Sequence, residues 1–365
     1  MTWTSLPDAP GFPAEGYAPL ADAVGRILGT RNDVLLVQGE AAVALEAVAA
    51  SLGRPGMRAL CVVTSMYGRW IAGWLRRAGA TAVELVAAPG RPVEAAAVAV
   101  ALASGRFDLV TIVHAESATG ILNPLEEVVA LARSHGALVV VDAVASVGGH
   151  ALDVDAAGID VAVIGPQKAL GGQAGVSALS VSPAAWERVA PPGEAPSILS
   201  LGDLRSLWLG TGRGALPGTP SALEFHALAA TLARVQAEGM PSLRARHRRA
   251  AAAARAGALA LTGRAWVASA HASNLVTAAA LPEGLDAARA LAAAGPATAL
   301  SAGAGPGGER LVRMNHTGAR ARLDVVLGDL AALGRALRAV GMETDVGRAL
   351  AAAEAAADGC GEAIP

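Results

Sequence analysis

Cysteine is nearly absent. Two residues in 365, Cys61 and Cys360, cannot build a disulfide framework or a four-ligand zinc site. Seven scattered histidines do not change that, and no metal site is expected. Charge of one sign is also lacking: 29 Lys and Arg against 31 Asp and Glu leave a net charge of −2. A chain so balanced offers no electrostatic footprint for nucleic acid or for an anionic membrane. Long apolar runs are missing too. Each is broken by Arg, Glu, Gly or Pro before about 18 residues, so no transmembrane helix is expected. No charged segment followed by an apolar one opens the chain, so a signal peptide is not expected and the cytoplasm is the expected compartment.

What the chain does have is apolar surface to bury. Hydrophobic residues make up 53% and charged residues 16%, which excludes a disordered or fibrous chain. Residues 1–17 are rich in Pro and Gly and read as an extended N-terminal arm. From Asp33, short apolar runs alternate with Ala/Leu/Arg stretches at helical spacing. The runs are Val34–Val37, Ala59–Val63, Ala82–Val86, Leu109–Val113, Leu138–Val141 and Val161–Ile164. Helices are expected at Ala41–Ser51, Arg69–Ala78, Val93–Ser104 and Pro124–His135. Continuous apolar strands alternating with helices predict an α/β fold whose mostly parallel sheet is covered on both faces.

Residues 182–222 are irregular, and a long helix is expected from Ala222 to Ala256 with Gly257 as its stop. Its basic cluster, Arg244–Arg249, reads as a solvated face. The expected division is an arm (1–17), a large domain (18–257), a smaller α+β domain (258–345), and a C-terminal helix and tail (346–365), with the tail helix over 344–358.

The most informative segment runs Leu138-Val-Val-Val-Asp142-Ala-Val-Ala-Ser146, then Asp160-Val-Ala-Val-Ile-Gly-Pro166-Gln167-Lys168. An acid ends one apolar strand and a lysine follows the next. In a parallel sheet both emerge at the carboxyl edge, where ligands bind. Lysine suits Schiff-base chemistry with carbonyls, and an ionised buried Asp can keep a pyridinium nitrogen protonated. The pair points to a pyridoxal-type group. Spacing alone leaves an ordinary strand-end ion pair open.

Five ordered motifs extend the pattern: His114-Ala-Glu116-Ser117-Ala-Thr119-Gly120, Val141-Asp142-Ala-Val-Ala-Ser146, Pro166-Gln167-Lys168, Gly218-Thr219-Pro220-Ser221 and Leu311-Val-Arg313-Met-Asn-His-Thr-Gly318. Over residues 18–345 the chain resembles the class V, fold-type I, pyridoxal-dependent aminotransferases. The resemblance implies a large sheet-bearing domain plus a smaller α+β domain. It also implies a homodimer, or a dimer of dimers, with shared active sites. By resemblance, Lys168 forms the Schiff base, Asp142 pairs with the pyridine nitrogen, Ser146 is cofactor-binding, and Gln167 lies near the cofactor's far arm. Thr219 comes from the neighbouring subunit. Tyr67, one of only two tyrosines, sits in a strand-to-helix turn where the family places a stacking aromatic. Glu116 and Thr119 occupy the turn that contacts the ring hydroxyl, although a carboxylate here can equally cap a helix. Arg313 matches the arginine that clamps the substrate carboxylate, a task suited to a planar guanidinium. Relatives that use pyridoxamine as amino donor carry a second arginine a few residues earlier, and here that position is Ala304.

One loop departs from the common pattern. After the first strand, where most of the family places a phosphate-binding Ser-Gly loop, the chain reads Gln38-Gly39-Glu40-Ala-Ala-Val-Ala-Leu45-Glu46. A carboxylate about 5 Å from a phosphate dianion is repelled by up to about 6 kcal/mol at an effective dielectric near 20. A carboxylate at a helix N-terminus is itself favourable and can accept a hydrogen bond from a neutral hydroxymethyl group. The loop resembles the vitamin B6-degrading branch of the family, in which pyridoxamine passes its amino group to pyruvate, giving pyridoxal and L-alanine. The alternatives are a conventional pyridoxal-5′-phosphate-dependent alanine/serine–glyoxylate or –pyruvate aminotransferase, a lyase or hydrolase on the same fold, and a non-enzymatic B6-binding protein. Desulfurase-type relatives need a mobile cysteine, and Cys61 falls inside an expected strand while Cys360 falls in the tail.

Overall fold

The computed structural model describes residues 10–295, 298–304 and 308–360. Residues 1–9 of the expected arm lie outside the described residues. The rest of that segment leads into a short turn, and helix α1 (Tyr17–Leu28) begins at Tyr17.

Seven strands form the main sheet: β1 (Asp33–Gln38), β2 (Arg58–Val63), β3 (Thr81–Val86), β4 (Leu109–Val113), β5 (Leu138–Asp142), β6 (Val161–Ile164) and β7 (Val176–Val181). Their order is β1-β7-β6-β5-β4-β2-β3. The five strands from β6 to β3 are mutually parallel, and β7 runs antiparallel to both β1 and β6. The helices between them are α2 (Ala41–Leu52), α3 (Met66–Arg77), α4 (Ala95–Ala103) and α5 (Leu125–Ser134). Strand β7 is an addition to the six runs read from the sequence. Its Ser177 and Ser180 break the apolar run, yet both are buried, because a central strand has no solvent face.

The region 182–222 is more regular than its composition implies. It contains α7 (Pro183–Trp186) and α8 (Leu201–Trp208), following the one-turn α6 (Val154–Ala157). The indole of Trp208 donates to the Val34 carbonyl at 3.0 Å, which ties α8 to the first strand.

The long helix expected from Ala222 is two helices, α9 (Ala222–Glu238) and α10 (Met240–Thr262). Gly239, at φ 78°, ends the first, and Pro241 sits in the opening turn of the second, where a missing N–H costs nothing. Gly257 is not a stop. α10 runs through it to Gly263, a left-handed cap at φ 68°. The basic cluster is likewise not simply solvated. Arg246 binds Glu238 through two hydrogen bonds of 2.7 and 3.0 Å and donates to the Gly318 carbonyl at 2.6 Å. Buried His247 accepts from the Gly318 N–H at 3.0 Å.

A second, antiparallel sheet has the order β8-β10-β9, from β8 (Val276–Ala280), β9 (Leu300–Ala302) and β10 (Leu311–Asn315). It packs with α10, α11 (Ala287–Ala294), α12 (Leu323–Ala339) and α13 (Val346–Asp358), the expected tail helix. One apolar cluster spans residues 17–243 and another 250–357. A small third cluster of Ala115, Ala145, Ala169, Leu275 and Val276 lies between segments of the two sheets.

Gly257 exists for helix packing. A Cβ there would come within 2.3 Å of Leu330 Cδ1, itself fully buried. Gly257→Ala is therefore expected to destabilise by about 1–3 kcal/mol through overpacking, whereas the same change in an open helix stabilises by up to about 1 kcal/mol. Denaturant unfolding distinguishes the two signs.

Candidate active site

Strands β5 and β6 pair in parallel, with Asp142 opposite Val163. Asp142 ends β5, and Lys168 follows β6 in the turn 165–172. That register brings acid and amine to one edge of the sheet. Both line a cleft together with Glu40, Tyr67, Trp70, Trp74, Ser117 and the apolar floor Val144–Ala145.

Asp142 is 6% exposed, and its Oδ1 accepts the Val144 N–H at 3.0 Å. Burial pushes its pKa up to about 6; the Val144 N–H and the charge of Lys168 pull it down, and the charge of Glu40 pushes it further up. The lysine turn is clamped from several sides. Arg234 donates to the carbonyls of Leu170 and Gly171 at 3.0 and 2.7 Å. Gly318 (φ 57°) packs so closely that a Cβ would lie 2.9 Å from the Lys168 carbonyl. The arginine carried no sequence signal, because its target is a backbone carbonyl on a distant turn.

At the other end of the cleft, Glu40 caps α2. Its Oε2 accepts the Ala42 N–H at 2.9 Å, and its Oε1 accepts the Gln167 side-chain amide at 2.7 Å. Gly39, at φ 141°, donates to the Gly175 carbonyl at 2.8 Å. Gly165 leaves room for Gln167, since a Cβ there would sit 2.3 Å from Gln167 Oε1. That Oε1 is buried and has no partner among the described residues.

Tyr67 lies in the first turn of α3, which Ser65 caps at 3.1 Å. Its ring meets Trp70 edge-on at 5.3 Å. Trp70 and Trp74 escaped the sequence reading, although their spacing of three and seven residues from Tyr67 puts them on the same helix face. Glu116 does not line the cleft. It is 1% exposed and accepts hydrogen bonds from the hydroxyls of Thr64 (2.6 Å) and Ser65. Burial is the main cause that raises its pKa to about 7. Thr119 is buried, and its hydroxyl has no partner among the described residues. The Ser146 hydroxyl is spent on the Ala143 carbonyl at 3.3 Å.

Arg313 reaches the cleft wall indirectly. Its guanidinium donates to the carbonyls of Ser117 (2.9 Å) and Ala302 (2.7 Å), leaving its other N–H groups unassigned. Thr219 is exposed. Its loop is held by Gln38, which donates to the Pro217 carbonyl at 3.1 Å and accepts the Ser221 N–H at 3.0 Å. Cys61 is fully buried in β2, and burial pushes its thiol up to about 11, which removes it as a nucleophile. Among the described residues no cluster of three metal-ligating side chains occurs, and no helix is long and apolar enough to cross a membrane.

The residues fit a pyridoxal-type ring. An amine, a facing carboxylate, an aromatic wall and an apolar floor surround a slot, and Thr119 Oγ1 and Gln167 Oε1, in the turns that carry the lining residues Ser117 and Lys168, have no partner among the described residues. They fit a phosphate group poorly. The helix start that would cradle one is occupied by a carboxylate, and Lys168 is the only basic residue among those lining the cleft.

The sequence matches the family described as aminotransferase class V over residues 15–303. The chain belongs to that family. It is 32% identical over 348 residues to the pyridoxamine–pyruvate transaminase of Mesorhizobium japonicum, covering 94% of this chain and 88% of that protein. The crystal structure of pyridoxamine–pyruvate aminotransferase from Mesorhizobium loti superposes with a TM-score of 0.88 at 30% identity, covering 95% and 89% of the two chains. The alanine–glyoxylate aminotransferase from a Nostoc species matches with a TM-score of 0.83 at 25% identity, covering 92% and 91%. The protein is thus a class V aminotransferase of fold type I, a family whose members depend on pyridoxal phosphate.

The environment of Asp142 fixes a sign. Its folded-state pKa lies above that of a free carboxyl, so the folded chain binds the proton more tightly than the unfolded chain. Stability is then lost as pH rises from about 4 through about 6. In the ligand-free protein, Asp142→Asn is expected to gain about 1–3 kcal/mol at pH 8 and close to nothing at pH 4. Denaturation at both pH values checks this.

Proposed function

We propose that this enzyme transfers the amino group of pyridoxamine to a 2-oxo acid, pyruvate, giving pyridoxal and L-alanine. The observation that carries the reading is the Glu40 carboxylate fixed at the start of α2 by the Ala42 N–H and the Gln167 amide. It stands where the family's phosphate cradle lies. Both hydrogen bonds hold it in place, so it does not swing aside. A hydroxymethyl group donates to such a carboxylate, while a phosphate ester is repelled by it. The likeness to pyridoxamine–pyruvate aminotransferase, in sequence and in structure, supports the same reading.

The B6 ring, when bound, supplies an electron sink for the carbon that bears the amino group. The chain supplies the rest. Asp142, buried and negatively charged, holds a proton on the ring nitrogen. The Lys168 amine would hold the vitamin through its aldehyde carbon, with water released as the imine forms, and as a free amine would carry a proton between that carbon and C2 of the acid as general acid and base. Tyr67 faces the ring and fixes its plane. Arg313 pairs with the substrate carboxylate through N–H groups not spent on Ser117 and Ala302. Glu40 holds the hydroxymethyl arm with Gln167 as its brace. Thr219 reaches the neighbouring subunit's site in a homodimer.

Enzyme mixed with pyridoxamine and pyruvate, with no phosphorylated cofactor added, is expected to form pyridoxal and alanine in equal amounts. Turnover that begins only after pyridoxal 5′-phosphate is supplied would instead identify a conventional aminotransferase. A Glu40→Ser variant is expected to gain at least about tenfold in affinity for the phosphorylated vitamin, as removal of roughly 1.4 kcal/mol of repulsion would give. Equilibrium titration with wild-type protein alongside measures the ratio.

A further inference from the structure

We propose that Glu116 is a positioning residue that holds the ring of Tyr67 over the cleft by bracing the Thr64–Ser65 turn. The inference rests on the reading above in which Tyr67 stacks on the B6 ring. It reassigns Glu116 from a contact with that ring to a support behind it.

Alternation explains why Glu116 faces backwards. Ala115 is bridged to Leu122 and the Glu116 N–H donates to the Ile121 carbonyl at 2.8 Å, so Ala115 and Glu116 are neighbours in one extended pairing and their side chains point to opposite sides before the turn 117–119 begins. Ala115 and Ser117 line the cleft, and Glu116 between them is buried behind it. There it forms no salt bridge among the described residues. Its two oxygens accept the hydroxyls of Thr64 and Ser65.

Each hydroxyl is also an acceptor. Ser65 Oγ takes the Tyr67 N–H at 3.1 Å, and Thr64 Oγ1 takes the Asn123 side-chain amide at 2.8 Å. N–H groups can only donate, so both hydroxyl protons are free to point at Glu116. Asn123 in turn donates to the Val113 carbonyl at 2.8 Å and accepts the Val93 N–H at 3.1 Å. A continuous network therefore runs from the strand β4 through Glu116 to the backbone of Tyr67.

Packing closes the other side. A Cβ on Gly68 would lie 2.5 Å from the Val62 carbonyl, so the start of α3 is pressed against the end of β2. Tyr67 thus has little freedom as long as Ser65 keeps its place. A buried carboxylate without a cation is costly to retain, and one whose bonds all run to a single turn is well used as its anchor. The raised pKa of Glu116, caused first by burial and opposed by the two hydroxyls, agrees with that isolation.

A double-mutant cycle on the full-length protein tests the link. Glu116→Gln preserves shape but replaces one acceptor with a donor. It is expected to weaken the visible-region circular dichroism of bound pyridoxal and to raise the KM for pyridoxamine about tenfold. In a Tyr67→Ala background, the same change should add less than about twofold, since residues acting through one contact are not additive. An unchanged signal and KM in the single variant, or a full tenfold effect in the Tyr67→Ala background, would overturn the proposal while leaving stacking intact. Tyr67→Ala without effect would overturn the stacking reading, and this proposal with it. Should Glu116→Gln fail to fold, Ser65→Ala cuts the same link from the other side. The dichroism should then weaken in the same way, and an unchanged signal refutes the link.

Discussion

A buried carboxylate at the end of a parallel strand needs a positive partner, and most of this site follows from that need. Asp142 is fixed by the β5–β6 register and sheltered from water, so its charge is poorly solvated. Burial alone drives it toward the neutral acid, and the nearby Lys168 only partly offsets this. A ligand that brings a protonated ring nitrogen completes the pairing. In the proposed function, that pairing couples binding of the ring to the ionisation that the chemistry uses.

The second feature is the negative pole at the opposite end. Glu40 acts as an ordinary helix cap toward α2, and as a barrier toward any anion at that helix start. Its bond to Gln167 joins the loop after β1 to the lysine turn after β6. Two sequence-distant loops therefore define one end of the slot. In the proposed function, the difference between binding a vitamin as substrate and retaining its phosphate ester as cofactor comes down to the charge at this one position.

How much of this was legible in the sequence depended on whether the signal was local. Asp142 and Lys168 could be read because each ends or follows an apolar run. Glu40 could be read because a carboxylate before an Ala-rich helix is a recognisable cap. Most of the parallel sheet announced itself through apolar runs of five or so residues. What stayed hidden was tertiary. β7 was masked by Ser177 and Ser180, which are polar yet buried between two neighbouring strands. Gly257 looked like a helix stop, and only the presence of Leu330 against it shows otherwise. Glu116 could be read as belonging to this turn, but its partners Thr64 and Ser65 come from a distant segment and leave no local signal. Arg234 and Arg246 act on backbone carbonyls, a kind of target that leaves no trace in residue type.

The central claim is that the Lys168 turn captures the unphosphorylated vitamin in preference to its phosphate ester. Borohydride trapping measures it most directly. The protein is incubated with pyridoxal or with pyridoxal 5′-phosphate at matched low concentrations, reduced, digested and weighed peptide by peptide. The account predicts a pyridoxyl mass on the peptide containing Lys168 at concentrations where the phosphorylated form leaves that peptide largely unlabelled. Equal or stronger labelling by the phosphate ester, or labelling of the N-terminal amine with Lys168, the single lysine of the sequence, untouched, would contradict it.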